Sequence, residues 1–372
     1  MATPVKRHWL LTPLTLLYGA VIGLRNKFFD WKIFKSEEFE VPVISVGNLT
    51  VGGTGKTPHT EYLIKLLKDS YRTALLSRGY KRKTKGYKLA AENSTPREIG
   101  DESYQIKQKF PDIHVAVDAD RRHGIHRLCK DKMSADTEVV LLDDAFQHRH
   151  VVPGINIVLM DYNRPIYEDA LLPTGMLREP KSSLSRAHVL IVTKCPDDIK
   201  PIDFRIVAKN LELRPYQRLY FTSFVYGDLV GFGAEKQVKA LTSITRHTHV
   251  ILVTGIASAA PLVDKLRGYT DNIIHMEYAD HHDFSPTEVA SMEQRFVSCD
   301  ATDKLIITTE KDAARLSQHA LSDTLANNLY VLPIEVVFLQ EQQDKFNHYI
   351  TDYVSKNSRN RIVHQRADAH KS

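Results

Sequence analysis

The chain has 372 residues, enough for two domains of ordinary size. Its 42% hydrophobic and 26% charged content is that of a soluble globular protein, and a net charge of +5 is too small to argue for nucleic acid by itself. The three cysteines, Cys129, Cys195 and Cys299, lie far apart without metal spacing or a C-x-x-C pair, which fits small buried thiols in a reducing compartment and gives no sign of thiol or zinc chemistry.

In chain order, the first feature is "HWLLTPLTLLYGAVIGL" from His8 to Leu24, without acid, lysine or arginine. Lys6 and Arg7 precede it; Arg25, Lys27, Lys32 and Lys35 come after it. It lacks the small-residue cleavage site of a signal peptide. It also falls short of the roughly 20 apolar residues of a membrane span. The preferred reading for residues 1–35 is a helix in the membrane interface. Trp9, Leu10, Leu14, Leu17, Tyr18 and Val21 would share its apolar face, and the flanking cations would meet anionic headgroups. A buried core helix is the alternative.

Pro42–Val46 reads as a buried strand, and "TEYLIKLLKD" after it as a helix with Tyr62, Leu63, Leu66 and Leu67 at helical spacing. Between them lies "NLTVGGTGKTP". The phosphate-loop pattern G-x-x-x-x-G-K-[ST] asks for glycine at position 50, where this chain has Thr50. The first position is the least demanding, because the later residues of the loop wrap the phosphate. The predicted loop is Thr50, Val51, Gly52, Gly53, Thr54, Gly55, Lys56, Thr57 and Pro58. Its backbone N–H groups and the helix N-terminus would converge on phosphate oxygens. Lys56 would reach the β- and γ-phosphates, and the Thr57 hydroxyl would sit on Mg²⁺. Pro58, placed at the second helical residue, gives up an N–H that has no helical partner.

Further strands are expected at Thr73–Ser77, His114–Asp118, Glu138–Asp144, Ile155–Asp161 and His188–Lys194. Alternation with helices implies a P-loop-type, doubly wound, mostly parallel α/β sheet. Asp143 and Asp144 end a buried strand, where carboxylates face the crevice and can hold Mg²⁺ directly or through water; a helix cap or turn is the bland alternative. Gln147, His148 and Arg149 would share that crevice. Zinc held by His148 and His150 has no partner set. Arg78 and Tyr80 follow a strand and so lie near the same crevice, and Arg121 and Arg122 open a basic turn after another. "LYFTSFVY" at 219–226 reads as an aromatic strand that could serve as a connecting ribbon. Beyond it a second α/β set begins with "HVILVTG". The expected units are 1–35, a P-loop domain 36–220, a smaller α/β domain 221–355 and a disordered polar tail 356–372.

"VGNLTVGGTGKTP", "LSRGY", "GDE", "DDAFQHR", "LREP" and "HHDFS", in that order, resemble the tetraacyldisaccharide 4'-kinase family, across roughly Pro42 to Leu316. The threonine at position 50 resembles that family's own variant loop. The resemblance implies an enzyme of lipid A biosynthesis on the cytoplasmic face of the bacterial inner membrane. It would use ATP and Mg²⁺ to phosphorylate the 4'-hydroxyl of a tetraacylated glucosamine disaccharide 1-phosphate. It implies that Asp101 is the base paired with His281, that neighbouring Glu102 helps at the metal, and that Arg178 and Glu179 serve as phosphate contact and network partner. His282, adjacent to His281, leaves that pairing open. Ser103 stands where the family often has proline, which suggests a looser loop. "TGIASAAP" matches only loosely, so the resemblance carries over no firm nucleotide contact from the second domain.

A sugar hydroxyl is a poor nucleophile near neutral pH, and a positioned carboxylate can take its proton during attack. Asp101 follows Gly100 ahead of a helix, so N-capping is the competing role. The run Arg72–Lys88 carries seven cations and no acid, a solvated face in general but here a rim suited to an anionic glycolipid. No nucleic-acid module accompanies it. Two alternatives remain, a membrane-associated P-loop ATPase switch and a soluble small-molecule kinase. A switch needs no acceptor base, so "GDE" and "DHHDF" separate it from the lipid kinase.

Overall fold

The computed structural model describes residues 9–233 and 236–369. Its strands are β1 (Val43–Asn48), β2 (Thr73–Ser77), β3 (Lys88–Leu89), β4 (His114–Val117), β5 (Val139–Asp143), β6 (Ile155–Asp161), β7 (Val189–Thr193) and β8 (Arg218–Tyr226), then β9 (Leu229–Gly231), β10 (Val238–Lys239), β11 (His249–Thr254), β12 (Ile273–Glu277), β13 (Lys304–Thr309), β14 (Leu329–Leu332) and β15 (Ile334–Phe338). Among the described residues they form two sheets, ordered β15-β8-β7-β6-β1-β5-β2-β4-β3 and β10-β9-β14-β13-β11-β12. In the first, all pairings are parallel except the outer β3 and β15. β1, β2, β5, β6 and β7 are buried at every position, as strands covered on both faces must be, which explains why apolar residues dominate them.

The second lobe is an insertion between β8 and β15, not a C-terminal domain over 221–355. The apparent single strand "NLYVLPIEV" is cut at Pro333: β14 pairs with β13 in the second sheet, while β15 returns to pair with β8 in the first. Proline supplies no ladder N–H, so the strand breaks there and changes sheet. The final helix, Gln343–Ala369, follows it home. Phe346, Ile350 and Val354 are buried with Leu63, Ile64, Leu67 and Phe338 in the first lobe's core. The helix also runs through most of the polar segment expected to be disordered; polarity argues against a packed core, but the segment holds no glycine or proline to stop a helix. Residues 370–372 of that tail, like Lys6 and Arg7, lie outside the described residues.

The N-terminal helix, Thr12–Asp30, is docked along one side only. Leu10, Leu14, Leu17, Val21 and Leu24 form an exposed stripe at helical spacing, with Leu16 beside it, and Leu10 is 96% exposed. Tyr18 departs from the predicted apolar face. Its hydroxyl donates to the Arg178 carbonyl at 2.9 Å, a partner that the stripe side does not provide. Among the described residues no helix is long and apolar enough to cross a membrane.

Candidate functional site

β1 ends at Asn48, and the loop leads into the helix Lys56–Leu67 capped by Gly55. Gly55 has φ +84°, and a Cβ there would meet Phe224 at 2.6 Å, so only glycine fits this turn. Pro58 is the third helical residue rather than the second. Thr50 needs no left-handed backbone: it bridges Leu177 in extended pairing, while the Val51 N–H donates to the Met176 carbonyl at 2.8 Å. The threonine is tolerated because the loop's start is held by a neighbouring segment. Its middle is held too. Asn48 donates to the Thr54 hydroxyl at 2.9 Å, Thr193 to the Thr54 carbonyl at 2.9 Å, and Lys194 to the Gly53 carbonyl at 2.5 Å. The loop is thus held by three side chains that lie outside it.

Lys56 lies 3.6 Å from Asp144, whose carboxylate also accepts from Arg178 at 3.2 Å. Burial works against the Asp144 charge, yet Lys56 and Arg178 hold its carboxyl below the ordinary range. Asp143 differs. Burial first, then the charges of Glu102 and Asp144, push it up to about 7. The Thr60 hydroxyl donates to it at 3.5 Å. Thr57 is buried in the first turn of the same helix. Among the described residues no three His, Cys, Asp or Glu side chains form a ready metal cluster. The predicted metal residues are therefore not a closed protein cage: Asp144 is turned to cations, and Glu102 pairs with Lys311 at 3.0 Å. The acid excess felt by Asp143 does fit a divalent cation that keeps phosphate oxygens and waters as its other ligands.

Asp101 opens the helix Asp101–Lys109 behind Gly100, whose φ is +85° and where a Cβ would strike the Tyr80 carbonyl at 2.8 Å. The helix start carries no side-chain capping bond. Instead Asp101 Oδ2 accepts from Arg315 Nε at 3.2 Å and lies 3.7 Å from His281 Nδ1. Burial opposes the Asp101 charge, but His281 and Arg315 outweigh it and keep the carboxyl below its usual value. Of the two adjacent histidines, His281 is the one beside Asp101. His282 instead pairs with Glu288 at 3.0 Å and stacks on Tyr278. His281 takes φ +59°, a left-handed backbone that aims consecutive rings to different sides. Glu102 ties this corner to the phosphate loop: burial opposes its charge, while Lys311 and then Lys56 lower its pKa.

Ser103 does not loosen its loop. It is buried within the helix, and its hydroxyl shares a 2.7 Å hydrogen bond with Ser77, which also accepts from the Gly79 N–H. Proline's rigidity is replaced by a hydrogen-bonded tie to β2.

The predicted substrate residues divide. Arg78 and Tyr80 are exposed, and the Tyr80 ring lies 5.5 Å from that of His281. Arg178 is half-buried beside Asp144. Arg121, expected on the rim, is buried beneath the two acids and donates to the Ala119 carbonyl at 3.1 Å; burial lowers its guanidinium to about 10. Gln147 is not open to substrate through its amide nitrogen, which donates to the Asn48 carbonyl at 2.7 Å. His148 lies 3.7 Å from Asp120, and burial, then Arg121, pull its ring down to about 4. Glu179 is fully buried and paired with Arg25 and Arg186. Within the basic run, Arg82 and Lys88 serve the fold, donating to Gly86 and Glu98, while Arg78, Lys81, Lys83 and Lys85 face solvent.

Two sets of contacts escape sequence reasoning. The first joins the N-terminal helix to the site loops: Arg25 donates to the Gln147 carbonyl at 2.8 Å, and Arg149 to the Asn26 carbonyl at 2.8 Å. The second is made by the helix Glu310–Leu316, which brings Lys311, Asp312 and Arg315 to the site. "TTEKD" right after a strand is the available signal, a threonine-capped helix opening with charge at a strand's carboxyl end. Gly255, in the loosely matching "TGIASAAP", gives its N–H to Asp312 and its carbonyl to Arg315.

The family model described as tetraacyldisaccharide-1-P 4'-kinase matches residues 7–355. The tetraacyldisaccharide 4'-kinase of Phocaeicola vulgatus is 54% identical over 96% of this chain and 98% of its own length. That of Bacteroides thetaiotaomicron is 52% identical over 99% of each. A solved structure, described as the "apo" form of LpxK from Aquifex aeolicus in complex with ATP, aligns with TM-score 0.72 at 28% identity, covering 92% of this chain and 98% of that one. A phosphate loop facing a carboxylate that a second lobe holds is thus found in a chain that belongs to the tetraacyldisaccharide-1-P 4'-kinase family.

Proposed function

We propose that the chain transfers the γ-phosphate of ATP to the 4'-hydroxyl of a tetraacylated glucosamine disaccharide 1-phosphate, with Asp101 accepting the hydroxyl proton. The sugar oxygen forms its bond to the γ-phosphorus as the bond from that phosphorus to the β–γ bridging oxygen breaks; ADP leaves and the proton passes to the carboxylate. The loop Thr50–Pro58 holds the triphosphate, and Lys56 balances charge building on the β–γ bridge. Mg²⁺, held through Thr57, Asp143 and Asp144 with Glu102 near, would neutralise phosphate charge when bound. Arg78, Tyr80 and the exposed lysines of residues 81–85 receive the acceptor's sugar and its 1-phosphate.

The N-terminal stripe lies in the interface of an anionic membrane, the cytoplasmic face of the inner membrane in this reading, and delivers the acyl chains beside the site loops. The observation that carries the assignment is the pair Asp101–His281, contributed by two lobes next to Glu102 and Lys56. A regulatory ATPase switch has no use for such a pair. Incubation with γ-labelled ATP, Mg²⁺ and the disaccharide 1-phosphate should put label on the 4'-oxygen. Asp101→Ala should lower that transfer on the order of 10²–10⁴-fold while ATP affinity changes less than about threefold. Undiminished transfer by the variant would refute the base assignment.

A further inference from the structure

We propose that Arg315 is the positioning residue for the acceptor base: its guanidinium, fixed within the second lobe, sets the orientation of Asp101 in the first and bridges it to His281. This deepens the reading of Asp101 as base and rests on it.

The mount is built before Asp101 is reached. Asp312 is fully buried, and its Oδ2 accepts from the Gly255 N–H at 3.0 Å and the Thr309 hydroxyl at 2.7 Å. Its Oδ1 accepts from Arg315 Nη1 at 2.9 Å, and the same nitrogen donates to the Gly255 carbonyl at 3.0 Å. That carbonyl also accepts the His281 N–H at 3.2 Å. Gly255, Asp312, Arg315 and His281 are therefore one hydrogen-bonded unit. Arg315 is only 3% exposed, so its geometry is not negotiated with solvent.

From this unit the guanidinium offers two further donors. Nε reaches Asp101 Oδ2 at 3.2 Å, and Nη2 reaches His281 Nδ1 at 3.2 Å. A guanidinium has no lone pair to give, so in the contact with Nδ1 it is Nη2 that donates. The 3.7 Å between His281 Nδ1 and Asp101 Oδ2 is longer than a hydrogen bond, whereas Arg315 reaches the same oxygen at 3.2 Å. What orients the carboxylate is the arginine. With Oδ2 engaged, Oδ1 is the oxygen left to receive the hydroxyl proton. Lysine could not do the same work, because one ammonium cannot span Asp312, Asp101 and His281 with fixed planar geometry.

The same helix carries Lys311, 3.0 Å from Glu102, and Glu310, paired with Lys109. These contacts cross between lobes side by side with Arg315. The base is thus oriented only while the helices Asp101–Lys109 and Glu310–Leu316 abut.

The test is a double-mutant cycle in the full-length protein with Asp101→Asn and Arg315→Met, read as kcat and KM for transfer to the disaccharide 1-phosphate. Arg315→Met alone should lower kcat on the order of 10²-fold, with KM for ATP within about threefold and Arg315→Lys recovering only part of the loss. In the Asp101→Asn background the same change should cost less than about threefold, because the group it orients is already disabled. An equal cost in both backgrounds, or no cost in the native one, overturns the inference. If Arg315→Met does not fold, judged by its thermal transition, Arg315→Lys takes its place in the cycle with the same expectations of sign. Full activity of Asp101→Asn would instead sink the base reading, an outcome visible before Arg315 is touched.

Discussion

Aspartate 101 illustrates how little a residue's role depends on its immediate neighbours in sequence. "IGDES" offers a carboxylate at a helix start, which is most simply a cap, yet the side chain turns to an arginine 214 residues away. Asp143 and Asp144 are adjacent and identical in type, yet one is pushed up to about 7 and the other is held low, because Asp144 is the one that reaches Lys56 and Arg178. The loop and the acid pair are legible in sequence because their chemistry is local. Arg121 and Glu179 are buried, which their sequence surroundings do not show, since burial depends on what packs above them. Glu288 carries a testable charge effect of the same local kind. Backbone bonding at Ser285, then His282, lower its carboxyl from 4.5 to about 2. Its stabilisation is complete above about 4.5 and is lost as pH falls toward 2, because the unfolded chain takes up the proton first. Glu288→Gln should flatten the acid side of the thermal-midpoint profile between those values, and an unchanged slope would count against the pairing.

Elements repeat the lesson with different physics. Buried parallel strands announce themselves as apolar runs, and most lie within a residue or two of the ends expected of them. β14 and β15 read as one strand because a single proline separates two apolar segments whose partners lie in different sheets, and partner choice is not written in either segment. The N-terminal helix is recognisably amphipathic, but its docked side is hidden, since Tyr18 and Arg25 bind carbonyls of distant loops. Its exposed stripe gives a direct expectation. Replacing Leu14, Leu17 and Val21 together by Glu should weaken association with anionic vesicles at least ~10-fold, given roughly 1.5–3 kcal/mol for burying each such side chain. Transfer to a short-chain, water-soluble acceptor analogue should change less than about threefold. Sedimentation with vesicles and parallel assays check both, and retained binding would remove the stripe from the membrane.

For the whole molecule, the two lobes meet along the helices that carry Asp101 and Arg315, so the alignment of Asp101 depends on how the lobes abut. Ion pairs cross between lobes at Asp101, Glu102 and Lys109, and a bound sugar would add to the contacts that hold the lobes together. Hydrolysis of ATP without acceptor should therefore run at least ~10²-fold slower than transfer, measured as phosphate release with and without the disaccharide. A comparable rate would mean that the crevice does not discriminate.

The insertion of one lobe within the other has a further result during synthesis. A ribosome releases β1 through β8 long before Phe338, Phe346, Ile350 and Val354 emerge, and these four complete the wall against which Leu63, Ile64 and Leu67 pack. The earlier-made half must wait, its central face unroofed, while the later-made lobe, whose strands emerge in one continuous stretch, can finish first. Maturation then proceeds from the middle of the polypeptide outward, and a chain cut after Pro333 would keep its phosphate-binding motif on paper while lacking the roof that holds it in shape.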